Sequence, residues 1–387
     1  MSVDEFGHRL DDRFALLRDP TSRRPERQRA LEAAISWSYE LLFPDDQRGL
    51  WALGCFTDGA SLAGVEHVLA ALEVPSESAA DVISRLTDRS LVAVEFPVEG
   101  GAARFRLLDS IRAFAFDRLR DAALDEIAFR AQAEWLADIS ADGAAGVRGP
   151  EQARHLRTCR DERANIDAAL AWTSVHDPAL GLRIATGFGW AWVLLGDGRR
   201  GSERLAGALA AASSVSSADE RVRPLSFIAW LEVTSNIEHA CSAAEQAVVA
   251  ADSTADPYLA AFSRSALALV LIQNGGLDRA SGLLDESRNL LDESHPWDVG
   301  GTWILSAHAA LLRGDVVAAR AASSEADRLL RPLGDDWVLD HLDALLGYIA
   351  QAEERFADAA THLRRAAAAA ARFGYASTEG SHLDTLG

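Results

Sequence analysis

Apolar residues recur every three to four positions along most of the chain, a spacing typical of amphipathic α-helices. In the first third this pattern predicts four helices, at residues 29–42, after Pro44, after Ser61 and after Ser78. We expect Asp45 or Asp46 to cap the second helix and Ser61 to cap the third, because their side-chain oxygens can accept from free N–H groups at a helix start.

The pattern changes after residue 90. Residues 91–96 are rich in β-forming side chains and residues 104–107 alternate in polarity. Glu99-Gly100-Gly101 lies between them as a turn, so we predict a β-hairpin. A further helix is expected from Asp109. Helices followed by one small hairpin and then another helix have the layout of a winged helix.

Helix-breaking residues then recur at a nearly constant interval. Successive breaks are 40, 40, 38 and 40 residues apart, at Gly196-Asp197, Asn236, Gly275-Gly276, Gly314-Asp315 and Glu354-Arg355. An apolar helix precedes each break and an alanine-rich helix follows it. This period indicates helical hairpins stacked as in tetratricopeptide repeats, where each hairpin buries its apolar face against its neighbours.

Small residues follow two of the turn glycines. Ala280 lies four positions after Gly276, and Ala318 lies four after Gly314, where two helices must approach closely. The sequence therefore predicts a mostly all-α fold in which a winged-helix unit with one small β-hairpin precedes a tetratricopeptide-like superhelix. Its four parts are a polar arm at 1–28, a winged helix at 29–120, a helical connector at 121–176 and helical repeats at 177–387.

Composition excludes several kinds of site. The 387 residues carry a formal charge of −20, and no lysine occurs, so all 38 basic residues are arginines. A Walker A loop and Schiff-base chemistry both need a lysine amine, so neither is available. Three widely spaced cysteines build neither a disulfide framework nor a zinc site. With a charged start and no apolar run of membrane-spanning length, we expect a cytoplasmic chain that makes no membrane contact.

The charge distribution argues against direct binding to DNA. Residues 1–120 hold 15 arginines against 20 acidic residues, and residues 121–387 hold 23 against 38. A duplex-binding surface needs clustered cations to neutralise phosphates. The helix after Ser78 mixes both signs, which favours a protein contact. The candidate contact surface of the winged helix is Arg85, Arg89 and Arg112.

One motif invites a cofactor interpretation. Residues 196–201 spell G-x-G-x-x-G, and Glu220 follows at about the distance of a ribose-binding acid in dinucleotide sites. Such a site needs a preceding β-strand, whereas this segment lies in phase with the 40-residue period. We therefore interpret it as an interhelical turn. The histidines form no HExxH pair, so we expect neither a cofactor nor a metal.

Ten tryptophans offer a candidate binding surface. Five of them fall in first helices of repeats and are candidates for an effector or partner groove: Trp190, Trp192, Trp230, Trp303 and Trp337. They could anchor a ligand or a peptide. They could equally pack helices together, and we favour this core interpretation for most of them, since amphipathic helices need large apolar residues.

Three stretches resemble a known family. They are QRALEAAISWSYELL at 28–42, LTDRSLV with RFRLLDSIRAFA at 86–92 and 104–115, and DERANIDAALAW at 161–172. In this order they resemble the part that follows the ATPase core in actinobacterial AfsR- and MalT-like regulators of the STAND class of signal-transduction ATPases. The resemblance extends over nearly the whole chain.

This resemblance implies a nucleotide-binding ATPase module, upstream or in trans, and a regulatory output that is usually exerted on transcription. Residues 1–28 resemble the last turns of that module, whose phosphate loop this chain lacks. Leu108 stands where related ATPases can place a phosphate-contacting histidine, and leucine has no donor. The resemblance therefore implies the post-ATPase half of such a regulator.

We predict a non-catalytic regulator whose repeat groove binds a protein or a small-molecule effector and whose connector relays occupancy to the winged helix. Two alternatives stay open. The first is a transcriptional regulator that binds DNA through the winged helix, for which salt-dependent duplex binding is diagnostic. The second is an enzyme of unrecognised class, which would show a pocket holding groups with strongly shifted pKa values.

Overall fold

The computed structural model describes residues 26–96, 102–292 and 294–373, and it divides into two compact units between Trp135 and Leu136. The fold is mostly α-helical, as the sequence predicts, with one two-stranded sheet among the described residues. The first unit holds α1 (Glu26–Glu40), α2 (Pro44–Gly54), α3 (Leu62–Ala71), α4 (Ala79–Asp88), β1 (Ala93–Glu95), β2 (Arg104–Arg106), α5 (Asp109–Asp121) and the start of α6 (Asp125–Gly146).

The predicted hairpin is present in the first unit. Strand β1 pairs antiparallel with β2, with Val94 opposite Phe105. Phe105 also exchanges two backbone hydrogen bonds with Ala60, so a single residue between α2 and α3 extends the sheet. Helices α2, α3 and α4 pack on one another over fully buried residues such as Leu50 and Leu69. The order helix, bridge, helix, helix and hairpin is that of a winged helix.

The helix starts in this unit differ in part from prediction. Ser61 caps α3, because its hydroxyl accepts from the amide of Gly64 at 3.2 Å. The expectation that Asp45 or Asp46 caps α2 is wrong, since Phe43 occupies that position and Pro44 opens the helix. The Asp46 side chain is instead fully buried beneath α4. The predicted turn at Glu99-Gly100-Gly101 and residues 1–25 of the predicted arm lie outside the described residues.

The second unit contains the end of α6 and a long series of paired helices. They are α7 (Gln152–Asp161), α8 (Arg163–His176), α9 (Pro178–Gly187), α10 (Gly189–Leu194), α11 (Gly198–Ala211), α12 (Ala218–Glu232), α13 (Ile237–Asp252), α14 (Pro257–Gln273), α15 (Leu277–Leu290), α16 (Pro296–Leu312), α17 (Val316–Leu330), α18 (Asp336–Ala352) and α19 (Phe356–Phe373).

Four of the five predicted breaks share one backbone conformation. Gly196, Gly275, Gly314 and Glu354 all have positive φ, between 61° and 80°. At each, the following amide reaches back to a carbonyl five residues earlier, as from Asp315 to Ala310 at 2.9 Å. This is the Schellman ending, in which a left-handed residue satisfies the last carbonyls of a helix. The fifth break differs, because Asn236 caps α13 with its side chain and keeps negative φ.

A small buried residue follows each break in a constant register. It lies five positions after the left-handed residue, at Gly201, Ala280, Ala319 and Ala359, with Ala240 equivalent after Ser235. A Cβ on Gly201 would lie 3.0 Å from the Cβ of Trp192, so the two helices of that hairpin are in close contact. The prediction that Ala280 lies at a close approach of two helices is confirmed. The same prediction for Ala318 is wrong by one position, since Ala318 is exposed and Ala319 is buried.

The repeats build two layers. Each first helix (α12, α14, α16 and α18) packs on its own second helix and on the first helix of a neighbouring repeat. Small and aliphatic side chains of three helices meet in one core cluster here, including Ala307 on α16, Ala319 on α17 and Leu345 on α18. The first helices therefore form a continuous inner layer, and their exposed faces converge on the cavity described below.

Candidate functional site

The inner helices of the repeat unit enclose a cavity of about 540 Å³. Its wall is formed by α10, α12, α14, α16 and α18, one helix from each repeat. Most lining side chains are apolar, and the polar ones include Ser265, Thr302 and Gln273. Both the volume and the mixture of apolar and sparse polar groups are typical of a small-molecule site.

The lining residues follow the repeat period. One row contains Trp190, Trp230, Leu269 and His308, and a second row contains Tyr258, Trp297 and Trp337. Within each row neighbours are 39 or 40 residues apart, so each row is one structural position repeated in successive hairpins. Stacking of repeats brings these distant residues to one surface.

Trp190 is the centre of an aromatic cluster. It is almost fully buried, and its ring centroid lies 4.8 Å from that of Trp297, 5.5 Å from Trp230 and 5.9 Å from Phe262. All three contacts are edge-to-face, the arrangement that the electrostatics of aromatic rings favours. These ring contacts join α10 to α12, α14 and α16 along the cavity wall.

A charged group lies at the edge of the aromatic wall. Arg148 donates from Nη1 to Asp298 Oδ1 at 2.9 Å, and the Tyr258 hydroxyl donates to the same oxygen at 3.4 Å. The Arg148 guanidinium also lies 4.8 Å from the Trp297 ring centre and 5.6 Å from that of Trp190. Burial lowers the pKa of Arg148, but Asp298 and Tyr258 outweigh burial and raise it. Burial, with the Asp298 charge, raises the pKa of Tyr258.

The segment after α6 is fastened to the inner helices. Gln152 Nε2 donates to Asp335 Oδ1 at 2.8 Å, and Gln152 Oε1 accepts from the Trp337 amide at 3.1 Å. Asp335 also accepts from the Trp297 indole at 2.7 Å and caps α18 through the Val338 amide. Burial raises the pKa of Asp335, while these hydrogen bonds act to lower it. We call Gln152, Trp297 and Asp335 the clasp.

Three of the five predicted tryptophans line the cavity, namely Trp190, Trp230 and Trp337. The other two are outside it because they lie in another phase of the repeat. Trp192 is buried beneath α11, with the Arg204 guanidinium 5.2 Å from its ring. Trp303 packs beside the α16–α18 contact, with Arg288 4.0 Å from its ring.

Sequence reasoning missed Trp297, Arg148 and Asp298. Trp297 carried a usable signal, because it follows Tyr258 by 39 residues and precedes Trp337 by 40. This spacing is easy to miss because Tyr258, Trp297 and Trp337 each lie in the first turn of a helix, outside its apolar stretch. Arg148 and Asp298 are 150 positions apart, and only the stacking of repeats pairs them.

The predicted winged-helix arginines are engaged within their own unit. Arg85 donates from Nε to the buried Asp46 at 2.8 Å, and Arg89 donates to the Leu41 carbonyl at 3.2 Å. Arg112, on α5, lies 3.8 Å from Asp109. The exposed face of α4 is formed by Ala80, Asp81, Ser84 and Asp88. That face presents carboxylates and small groups, which do not attract phosphate.

The G-x-G-x-x-G segment is an interhelical turn, as its phase predicts. Gly196 and Asp197 lie in the turn between α10 and α11, residues 198–201 form the first turn of α11, and no described strand adjoins them. Asp197 accepts from Arg204 at 2.9 Å and from Arg163 at 3.2 Å, and Arg204 also bonds to Asp167. These ion pairs tie α8 to α11. Across the described ranges, no three His, Cys, Asp or Glu side chains converge in a way suited to a metal ion.

No helix in the described part of the chain combines the length and apolar character needed to cross a membrane.

Comparison with known proteins gives a partial match. No protein-family profile matches the chain. Over 176 residues, 45% of its length, the chain is 32% identical to proteins of Mycobacterium bovis and of two strains of Mycobacterium tuberculosis. These relatives are provisionally named HTH-type transcriptional regulators. The matched stretch spans 19% of their length, so it corresponds to about a fifth of each relative.

Two solved structures align with most of the chain at low similarity. One is a STAND protein with a tetratricopeptide repeat sensor from Pyrococcus horikoshii, with 11% identity, a TM-score of 0.37, and coverage of 97% of this chain and 71% of that one. The other is a Rap protein complexed with competence and sporulation factor, with 13% identity, a TM-score of 0.41, and coverage of 99% and 97%. With both TM-scores below 0.5, neither alignment supports a conclusion about this chain.

Proposed function

We propose that this protein is a non-catalytic regulator whose repeat unit binds an effector in the aromatic cavity and whose winged-helix domain, which we place at residues 29–120, receives the signal. The observation that carries the proposal is the wall of repeat-phased aromatic side chains around a cavity of about 540 Å³. Similarity to proteins named transcriptional regulators agrees with a regulatory output.

The connector offers a route for the signal. Helix α6 starts at Asp125 in the first unit and ends at Gly146 in the second. Arg148 follows two residues later and bonds to Asp298 on the cavity wall. A ligand that moves Asp298 or Trp297 therefore acts directly on the end of α6. We expect occupancy of the cavity to slow amide hydrogen exchange along residues 125–146, a change that mass spectrometry detects.

Binding can be tested with a neutral apolar fluorophore, N-phenyl-1-naphthylamine, and the full chain. We expect energy transfer from tryptophan to the probe, because Trp190, Trp230, Trp297 and Trp337 line the cavity. Gly301→Leu should weaken binding about tenfold or more by filling the site. Gly301 lies on the lining, and an added Cβ there has its nearest neighbour at 4.0 Å, so the change is tolerated.

The matched control is Gly282→Leu. Gly282 also lies within a repeat helix, but it is exposed on α15 and an added Cβ meets nothing within 4 Å. It should leave probe binding unchanged. Equal binding by both variants, or no binding by the parent chain, would overturn the proposed groove.

A nucleotide titration tests the other half of the proposal. The resemblance to STAND regulators implies an ATPase module upstream or in trans, and the 387 residues contain no Walker A lysine. Calorimetry with ATP and ADP should therefore show no binding. Micromolar binding by this chain would contradict the assignment of a non-catalytic regulator.

Direct DNA binding through the winged helix is the second candidate, and the names of the mycobacterial relatives favour it. It predicts duplex affinity that falls steeply as salt rises. The acidic exposed face of α4 argues against it. Failure to bind duplex DNA at low salt would remove this candidate.

A further inference from the structure

Four buried hydrogen-bond donors around the cavity have no acceptor. They are the indole N–H groups of Trp190 and Trp230 and the Nε–H groups of Arg148 and Arg223. The two tryptophans line the cavity, and Arg148 contacts its wall. Buried donors are nearly always paired in folded proteins, and each orphan costs free energy. A cluster that contains only donors indicates a missing partner rich in acceptors.

Arg223 is the clearest member of this cluster. It lies on α12, on the same helix face as Phe227 and Trp230, with its guanidinium 5.8 Å from the Phe227 ring. Within the described residues it forms no ion pair and no hydrogen bond. Burial lowers its pKa most, and the nearby Arg148 charge adds to this, while Tyr258 and Asp298 oppose it. Asp298 is paired with Arg148, and Arg223 has no carboxylate partner among the described residues, so one positive charge beside the aromatic wall is not matched by an ion pair.

We infer that the effector is a small organic anion, with an apolar aromatic-sized body against the tryptophans and one oxyanion group at Arg223. This inference rests on the proposed function of the cavity. Charge-assisted hydrogen bonds from guanidinium to an oxyanion are among the strongest in proteins, and the apolar surroundings strengthen them. The body packs on the aromatic lining of the cavity, which includes Trp230, Trp297 and Trp337.

The carboxylates of the lining do not cancel this charge. Asp298 is matched by Arg148 at 2.9 Å. Asp340 lies 3.6 Å from His341 and can form an ion pair with that imidazole when it is protonated. The chain as a whole carries −20, so a non-specific site would repel an anion. Preference for an anionic ligand must therefore arise from local groups.

Two fluorescent probes with the same body separate the anion from the apolar contribution. One is 8-anilino-1-naphthalenesulfonate, and the other is N-phenyl-1-naphthylamine, which lacks the sulfonate. At physiological ionic strength we expect the full chain to bind the sulfonate about tenfold more tightly, the scale of one charge-assisted hydrogen-bonding group. Arg223→Gln should abolish this preference and leave the affinity for the neutral probe unchanged.

Arg264→Gln is the matched control. Arg264 is another half-buried arginine of the same unit, but its guanidinium is paired with Asp252 and Glu286 on the outer side. The preference for the sulfonate should survive in this variant. Gly301→Leu should remove binding of both probes, which shows that both occupy the cavity.

The outcomes separate the two proposals. If the neutral probe binds in the cavity but the sulfonate is not preferred, or if Arg223→Gln keeps the preference, the anion site is wrong and the groove stands. If neither probe binds, both proposals fail. Circular dichroism and thermal melting of Arg223→Gln exclude unfolding as the cause of a lost preference.

Discussion

Arginine side chains in the two units differ in whether they have hydrogen-bond acceptors within the fold. In the winged-helix unit Arg85 donates to the buried Asp46 at 2.8 Å, and Arg104 donates to the Gly59 carbonyl at 2.8 Å. In the repeat unit the Arg223 guanidinium lies over the Phe227 ring and has no acceptor among the described residues. Buried Nε–H groups without an acceptor also occur in the winged-helix unit, at Arg106 and Arg112, but those two arginines form ion pairs with Asp58 and Asp109. Internal pairing stabilises a fold, whereas a buried donor without a partner costs stability and stays available to a ligand.

In the clasp, by contrast, the repeat unit surrounds a buried carboxylate with hydrogen-bond donors of its own. The Asp335 side chain is fully buried and accepts from Gln152, Trp297 and Val338. Asp335→Ala removes a helix cap and strands two buried donors, so we expect a loss of about 3 kcal/mol in the free energy of unfolding. Urea denaturation followed by circular dichroism measures this loss.

Asp315→Ala is the control for the clasp. Asp315 caps α17 through the Ala318 amide in the same way, but it is exposed and contacts no second element through that cap. Its removal should cost only about 1 kcal/mol. If both substitutions cost the same, the clasp adds nothing beyond capping.

One Arg→Met substitution in each unit should change the free energy of unfolding in opposite directions. Arg85→Met leaves the carboxylate of Asp46 buried without its partner, and we expect a loss of about 2 kcal/mol, less than for a fully buried pair because Arg85 is 40% exposed. Arg223→Met removes a half-buried cation that has no partner among the described residues, and it adds apolar surface. We expect a gain of about 0.5 to 1 kcal/mol.

Thermal unfolding of the two Arg→Met variants and the parent chain, at equal concentration and salt, shows whether each substitution stabilises or destabilises the fold. A destabilised Arg223→Met variant would mean that the native fold depends on this guanidinium and that no ligand needs to explain it. A neutral Arg85→Met variant would show that the Asp46 pair is as weak as an exposed ion pair.

The repeat architecture could be predicted from the sequence because each turn between helices requires particular residue types. Left-handed backbone conformations favour glycine, and the glycines at 196, 275 and 314 indicate the repeat period from the sequence alone. Glu354 takes the same conformation without that signal, and only its place in the series indicated a break. The error at Ala318 has the same origin, since the register is set by the left-handed residue and not by the helix start.

The site was only partly predictable, because its members belong to different helices. The aromatic rows repeat every 39 or 40 residues, so Trp297 could have been found by aligning repeats. Arg223 lies 75 positions from Arg148 and Asp298, and no period relates the three. Their juxtaposition follows from the stacking of hairpins, and an orphan donor is visible only when its whole environment is known.

The smallest expected effect concerns His308, which occupies the repeat position of Trp190 and Trp230 and lines the same cavity. Burial, and then the nearby His341 charge, lowers the pKa of His308 below its usual 6.5. The unfolded chain therefore binds this proton more readily, so the stability that neutral His308 contributes above pH 6.5 is lost as the pH falls through its folded-state pKa.

Between pH 7.5 and 5.5, solvent screening should keep this loss below about 1 kcal/mol, and His308→Gln should reduce the pH dependence of urea denaturation by that amount. His341→Gln should reduce it by less, because it relieves only the repulsion between the two imidazoles. An unchanged pH dependence in His308→Gln would show that His308 binds its proton as readily in the folded chain as in the unfolded chain, against the direction expected from its burial.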